Sequence, residues 1–352
     1  MEKRIDEVDI IKGIAILLVF IGHAATNSFL PRPSTYEFIV QFIYAFHMPL
    51  FFMISGFLSV KSFNMNLKKD YIKFIKNKFN RLMIPFITIS LITNGLMIIA
   101  QVVINKEVNI QNIFEMFKTT AVYPENAIMG ALWFLYALFI VSVLSPILDK
   151  FSWKFIVVIG ILINIFTPKN LYFLALNRVS FFLIYYFIGM YIRKVYDLKN
   201  KINYKCNKYI IIVSAAIIAI YSTIITKGII LNQILMNIYM LICGILGIIL
   251  ALYFAIFIKK YNSLKLIFSK LGNYSMDIYI FSWFFQVASM IFITKVIKLD
   301  SYNIFFISNF IIGSLSLPFS IFIVRRIPLI RFLFLGIPNK VSVYVESNMY
   351  NT

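Results

Sequence analysis

Residues 4–23 read RIDEVDIIKGIAILLVFIGH, a charged start that gives way to an apolar run. The run begins at Ile10 and continues to Phe29, and roughly 20 apolar residues are enough for a helix to cross a bilayer. It has Lys12 near its start and leads directly into a second apolar run, so we predict a retained membrane helix rather than a removable targeting segment. Runs of this kind decide the fold of the whole chain.

The composition of the chain excludes a soluble globular protein. Of its 352 residues, 61% are hydrophobic and 14% are charged, and its mean hydropathy is +0.86. Soluble domains are about 45–50% apolar and about 25% charged, and one soluble domain of this size has too little interior to bury so many apolar side chains. The runs are continuous and lack the period-two alternation of barrel strands. The predicted fold class is an all-α polytopic membrane protein.

About ten apolar runs are predicted to span the membrane as helices, and the fifth of them is short. The runs are 10–30, 37–60, 82–104, 128–148, 154–168, 171–192, 209–226, 231–258, 274–294 and 302–324. We predict a single integral-membrane domain over 1–352, with spans filling 10–324 and a short C-terminal tail at 325–352.

The distribution of Lys and Arg predicts the orientation of the chain. With the N-terminus inside, the inner side collects 25 of the 34 basic residues and the outer side 7, which leaves Lys12 and Arg178 within spans. This asymmetry places both termini in the cytoplasm, so the net charge of +20 reports topology and not a nucleic-acid partner. The stretch 61–81 carries seven basic residues and is either a flank attracted to anionic membrane lipids or a docking surface for a polyanionic cytosolic cofactor.

Ionisable groups within spans are costly and therefore informative. The two histidines, His23 and His47, fall in the first two spans, which a helical hairpin can bring together. His23 follows Lys12 by eleven residues, which is three helical turns plus about 20°, so both lie on one face about 16 Å apart. Asp9, three residues before Lys12, can pair with it. An imidazole suits a general base, whereas the structural alternative for each histidine is an interhelical hydrogen bond.

Further candidates lie in other spans. Lys78 and Arg81 lie three residues apart at the start of the third span and could meet the phosphates of a polyanionic cytosolic cofactor. Arg178 either binds an anionic ligand or extends outward to the interface. Trp133 either stacks on a sugar or packs in the interior. The chain has no HExxH, CxxC or GxxxxGK[ST] motif, so no metal site is predicted.

Residues 4–23 resemble the first helix of the integral-membrane acyltransferase family 3, which carries a basic residue, ten intervening residues and a histidine after an acidic residue. Here Asp9, Lys12 and His23 fill that pattern. The stretches FHMPLFFMISGFL, KNKFNRLMIPF and ALWFLYALF, which start at residues 46, 76 and 131, are similar to later helices of the family, and YFIGMYI and LGNYSMDIYIFSW are fainter matches.

The resemblance implies transfer of an acyl group, usually acetyl from cytosolic acetyl-CoA, to a hydroxyl of a surface glycan or its lipid-linked precursor. It implies that His23 is the catalytic histidine, that Lys12 lies near the donor, and that Arg81 is the basic start of the third helix. Lys12 replaces the commoner arginine and lacks its planar fork. Ser282 stands, three residues after Tyr279, where other members have a histidine.

The resulting expectation is an O-acetyltransferase of a bacterial cytoplasmic membrane, with His23 and His47 as catalytic residues. Asp9, Lys12, Lys78 and Arg81 form the expected donor site, and Trp133, Arg178, Tyr279 and Ser282 the expected acceptor site. Acetyl-CoA is expected as a co-substrate, with no permanently bound cofactor. The alternative is a transporter or flippase of a glycan precursor that uses the histidines as a proton relay, although the spans hold few of the carboxylates that such a relay needs. A membrane scaffold would explain the fold but not the alignment of Lys12 with His23.

Overall fold

The computed structural model describes residues 5–26, 30–60, 68–105, 110–199 and 208–338. Every regular element in these ranges is helical, which confirms the all-α class. The α-helices are α1 (Asp6–Ala24), α2 (Ser34–Tyr44), α3 (His47–Ser59), α4 (Lys68–Lys78), α5 (Ile84–Asn105), α6 (Ile110–Val122), α7 (Trp133–Leu148), α8 (Trp153–Phe166), α9 (Leu176–Lys199), α10 (Lys208–Thr226), α11 (Gln233–Lys259), α12 (Asn262–Asn273), α13 (Ser275–Ile291), α14 (Tyr302–Ser314), α15 (Ser316–Phe319) and α16 (Pro328–Leu335). Short 3₁₀-helices lie at Pro124–Asn126, Gly130–Leu132 and Phe173–Ala175, and π-helices at Phe79–Met83, Phe292–Val296 and Ser320–Val324.

Eight helices in the described residues are long and apolar enough to cross a membrane, which confirms the polytopic fold. They are Ser34–Ser59, Asp70–Val103, Gly130–Leu148, Phe173–Tyr196, Lys208–Thr226, Gln233–Lys259, Ser275–Val296 and Tyr302–Val324, and each overlaps a predicted span. The other two predicted spans are helices as well. However, α1 carries four charged residues in its first two turns, and α8 has only 14 residues. The count of ten and the cytoplasmic position of both termini stay predictions.

Four further helices, α4, α6, α12 and α16, lie where the sequence predicted only loops or the C-terminal tail. They are too short or too polar for a span, so a search for long apolar runs passes over them. The third predicted span also begins earlier than expected, because α4 continues through the π-helix Phe79–Met83 into α5. Residues 61–67 of the basic stretch and residues 339–352 of the predicted tail lie outside the described residues.

The chain forms two compact units. The first unit comprises Met1–Val60, Asn164–Phe166 and Ile184–Ile321, and the second unit comprises Lys61–Ile163, Thr167–Leu183 and Phe322–Thr352. The single domain over 1–352 stays a prediction.

In the first unit, α1 and α12 pack with their backbones in direct contact. A Cβ atom on Gly13 would lie 2.1 Å from the Phe268 carbonyl oxygen, and one on Gly272 would lie 2.0 Å from the Asp9 carbonyl oxygen. Only glycine fits at such an approach. The two glycines therefore fix the N-terminal half of α1, which carries Asp9 and Lys12, against α12.

In the second unit, the end of α16 packs on the π-helix Phe79–Met83. Gly336, which ends α16, has a φ of +60°, and a Cβ there would lie 1.9 Å from the Asn80 carbonyl oxygen. The left-handed backbone and the close contact both require glycine. This contact holds the turn that contains Arg81.

Candidate active site

The last turn of α1 carries His23 and is held by side chains of α14. The Asn309 Nδ2 atom donates a hydrogen bond to the Ala24 carbonyl oxygen at 3.2 Å, and the Tyr302 hydroxyl donates to the Ala25 carbonyl oxygen. Carbonyl groups at the end of a helix lack intrahelical partners, so these donors complete the turn. The backbone that positions His23 is therefore fixed from outside α1.

The residue His23 is partly exposed, although the residues on either side of it, Gly22 and Ala24, are buried. Within the ranges that the structure describes, no group forms a hydrogen bond with its ring. A general base needs a ring nitrogen within reach of the substrate proton. The exposure and hydrogen bonding of His23 are compatible with that role.

His47 lies at the start of α3, where the second predicted span is broken into two helices. Pro49 lacks the N–H group that would continue the hydrogen-bond ladder to Ala45, so α2 ends just before α3 begins. At this break the His47 Nδ1 atom donates to the Ile43 carbonyl oxygen at 3.0 Å, and the ring packs 4.9 Å from the Tyr44 ring. This hydrogen bond joins residues four apart in the chain, across the break between α2 and α3.

The two imidazoles occupy one region of the first unit. Tyr44, which packs on His47, also lies against α1, because a Cβ on Gly22 would come 2.5 Å from its ring. Tyr44 thus lies against both His47 and the residue that precedes His23.

At the other end of α1, Lys12 pairs with Asp9. The Lys12 Nζ and Asp9 Oδ1 atoms are 3.5 Å apart, and the side chains are 25% and 10% exposed. The remaining acidic residues of the first turn also have basic partners, with Glu7 bound to Lys259 and Asp6 lying 2.5 Å from Lys265. Lys259 and Lys265 were predicted only as topological charges, so sequence reasoning missed these pairs.

A cavity of about 320 Å³ lies beside this end of α1, within the first unit. Its lining is mainly apolar and comes from α1, α3, α9 and α11, with Glu7, Lys259 and Tyr196 as its polar members. No local sequence pattern indicates this cavity, because four separate helices contribute to it. A cavity of this volume and lining suits a flexible apolar chain.

In the second unit, Arg178 forms an ion pair. Its Nε atom lies 2.9 Å from the Glu125 Oε2 atom, and its guanidinium lies 4.8 Å from the centre of the Trp133 ring. The Trp133 ring is stacked on Phe182 with centroids 5.5 Å apart and planes 16° apart. Sequence reasoning missed Glu125, although an arginine inside an apolar run predicts a counter-charge.

Strained backbone precedes Arg178. Leu174 and Ala175 have φ values of 50° and 53°, a left-handed conformation that costs an L-residue roughly 1–2 kcal/mol. The turn is held by Asn177, whose Nδ2 donates to the Lys169 carbonyl oxygen at 3.2 Å and whose Oδ1 accepts from the Arg178 N–H at 2.7 Å. Strain of this kind persists where the surroundings impose it, often at functional sites.

Lys78 and Arg81 make different contacts in the second unit. The Lys78 ammonium lies 5.5 Å from the centre of the Phe74 ring, whereas the Arg81 Nη1 atom donates to the Leu335 carbonyl oxygen at 3.0 Å. Because Arg81 lies in a π-helix, whose turn is wider, the three-residue offset does not have the α-helical geometry that the sequence argument assumed.

The remaining predicted site residues, Tyr279 and Ser282, are buried in α13, at 8% and 2% exposure. Neighbouring Asp277 is fully buried and accepts a hydrogen bond from the Ser320 hydroxyl at 2.5 Å. In the described part of the chain, no three His, Cys, Asp or Glu side chains are grouped as a metal site would require.

The predicted site residues are divided between the two units. The first unit holds Asp9, Lys12, His23, His47, Tyr279 and Ser282, and the second unit holds Lys78, Arg81, Trp133 and Arg178.

The family model described as Acyltransferase domain, that of acyltransferase family 3, matches residues 5–325, which is nearly the whole chain and includes residues of both units. No curated protein and no solved structure matches the chain significantly.

Proposed function

Because the chain belongs to the integral-membrane acyltransferase family 3, we propose that it is a membrane O-acetyltransferase. The donor is cytosolic acetyl-CoA, and the acceptor is a hydroxyl of a cell-surface or exopolysaccharide glycan or of its lipid-linked precursor. The enzyme works in the cytoplasmic membrane of a bacterium. The observation that carries the proposal is His23, a partly exposed residue on a fixed turn, on the same face of α1 as the Lys12–Asp9 pair.

His23 is the general base of the proposed reaction. Its ring takes the proton of the acceptor hydroxyl, the oxygen attacks the thioester carbonyl of acetyl-CoA, the C–S bond breaks, and the CoA thiolate leaves and takes that proton from His23. Proton transfer of this kind contributes typically 10²–10⁴-fold to the rate. His47, held by Ile43 and Tyr44, is the second imidazole of the site.

The donor reaches the site from the cytoplasmic side. Lys12, held by Asp9, lies at the inner end of α1, about 16 Å from His23 along the helix. The apolar cavity beside this end of α1 suits the flexible arm of CoA. Lys78 and Arg81 supply cations for the CoA phosphates.

The acceptor is bound by Trp133, Arg178, Tyr279 and Ser282. The partly exposed Trp133 and Arg178 offer an aromatic ring and hydrogen-bond donors. Tyr279 and Ser282 are buried, so their part in acceptor binding requires the acceptor to penetrate to α13.

Replacement of His23 tests the proposal directly. We expect His23→Ala and His23→Gln to lower acetyl transfer from labelled acetyl-CoA by about 10²–10⁴-fold, with normal membrane insertion. The matched control is Lys118→Gln, which removes an exposed ion pair with Glu115 on α6 and should keep full activity. Near-normal turnover in His23→Ala would exclude His23 as the base. If the wild-type protein moves a glycan precursor across the vesicle membrane without transferring the labelled acetyl group, it is a transporter.

A further inference from the structure

Glu125 is a buried carboxylate of which only one oxygen has a partner. Its side chain is 7% exposed, and its Oε2 atom receives a hydrogen bond from the Arg178 Nε atom at 2.9 Å. The Oε1 atom is buried and has no hydrogen-bond partner among the described residues. The hydrogen-bonding capacity of the Glu125 carboxylate is therefore only half used.

An unsatisfied oxygen of this kind requires a physical explanation. Most buried polar side-chain atoms have a partner, and a buried acceptor without one is costly, more so when it carries charge. The ion pair fixes the orientation of the Glu125 carboxylate, because it engages only Oε2. A ligand that donates a hydrogen bond to Oε1 would give the second carboxylate oxygen of Glu125 its partner.

The neighbours of Glu125 define the chemistry of that ligand. The Arg178 side chain is 38% exposed and lies over the Trp133 ring at 4.8 Å. Since Glu125 neutralises Arg178, the pair has no net charge, and an anionic ligand would gain little from it. A neutral sugar fits better, because its hydroxyls donate to a carboxylate and accept from a guanidinium, and its C–H face packs on an aromatic ring.

We propose that Glu125, together with Arg178 and Trp133, forms a subsite for a neutral sugar residue, in which Glu125 Oε1 accepts a hydrogen bond from a sugar hydroxyl. The cluster lies between α6 and α7 and at the start of α9, segments that the charge distribution predicts on the outer side. Only the identification of this sugar as part of the acceptor rests on the proposed function.

Binding can be measured without catalysis by the fluorescence of Trp133. In a Trp153→Phe, Trp283→Phe background, reconstituted protein is titrated with glucose, galactose and N-acetylglucosamine, and with glucuronate as the anionic probe. We expect a saturable change with at least one neutral sugar and a weaker response to glucuronate. Glu125→Ala and Glu125→Gln, the second of which keeps the side-chain shape, should weaken binding at least tenfold.

The control is Glu115→Gln, which removes a carboxylate of the same unit that is exposed and already paired with Lys118. It should leave sugar binding unchanged, and thermal unfolding should show that Glu125→Gln remains folded. A folded Glu125→Gln that binds the sugars as tightly as the parent protein would overturn the proposal. So would the absence of any saturable response to neutral sugars, or preferential binding of glucuronate.

Kinetics separates this inference from the proposed function. If the enzyme transfers acetyl groups, Glu125→Gln should raise the KM for the acceptor at least tenfold and leave the KM for acetyl-CoA unchanged. Transfer that depends on His23 but not on Glu125 would overturn the subsite alone. Sugar binding that depends on Glu125 in a protein without acetyl transfer would uphold the subsite and refute the proposed function.

Discussion

The substitution Asn309→Leu is expected to slow acetyl transfer by disturbing the turn that carries His23. Asn309 is buried in α14, and its Nδ2 atom donates to the Ala24 carbonyl oxygen at 3.2 Å. Leucine has nearly the shape of asparagine but no donor. The change therefore removes the hydrogen bond without opening a cavity of any size.

The expected magnitude follows from the contacts of this turn. A buried carbonyl that loses its donor costs about 1–3 kcal/mol, and side-chain hydrogen bonds between membrane helices are worth about 0.6–2 kcal/mol. The Ala25 carbonyl keeps its two donors, Tyr302 and Arg32, so the turn should shift rather than unfold. A shift of about 1 Å at a catalytic group can cost roughly 10²-fold. We expect kcat to fall by roughly 10–10²-fold, with the KM for acetyl-CoA unchanged.

Steady-state kinetics with labelled acetyl-CoA in proteoliposomes, together with thermal unfolding, measures both effects. Asn303→Ala is the matched control, since Asn303 lies on the same helix but is exposed and accepts from the Tyr36 hydroxyl at 2.9 Å. It should change stability by less than about 0.5 kcal/mol and leave kcat intact. If Asn309→Leu lowers stability and kcat stays normal, Asn309 does not set the position of His23.

Substitutions at Lys12 and at Gly272 test the N-terminal half of α1 and its packing on α12. Lys12→Gln should lose most activity and Lys12→Arg should keep much of it if Lys12 contacts the donor, whereas full activity of Lys12→Gln in the labelled-acetyl assay would reduce Lys12 to a topological charge. Gly272→Ala should lower thermal stability by about 1–3 kcal/mol, because its Cβ would lie 2.0 Å from the Asp9 carbonyl oxygen. The matched control is Gly95→Ala, because a Cβ on Gly95 would have no atom within 4 Å. This control should stabilise α5 by roughly 0.5–1 kcal/mol. Equal stability of the two variants would contradict the close packing of α1 on α12.

The sequence was sufficient for the fold class and for most helices, because burial in a membrane requires long apolar runs. It was insufficient where a helix continues through charged residues. The third span was predicted to begin at residue 82, but the helix starts at Lys68 and passes through the π-helix Phe79–Met83. Backbone hydrogen bonding continues through amphipathic sequence, whereas an apolar run ends at its first charges.

Prediction of the site from the sequence is likewise limited to residues that are close together in the chain. The Lys12–Asp9 pair is found because a spacing of three residues puts side chains on one helical face. The Arg178–Glu125 pair joins residues 53 positions apart, and no local spacing encodes it. Arg178 in an apolar run indicated that a partner exists, but only the packed structure identifies which carboxylate it is.

The charges of α1 indicate which part of the proposed donor Lys12 can bind. Each acidic residue at its start has a basic partner: Asp6 has Lys265, Glu7 has Lys259 and Asp9 has Lys12. These six side chains carry no net charge, so they attract the several negative charges of CoA only weakly. The phosphates therefore need cations from elsewhere, and Lys78, Arg81 and the rest of the basic stretch 61–81 are the candidates. Lys12, with its ammonium held by Asp9, is better suited to the uncharged thioester end, which must pass along α1 to reach His23.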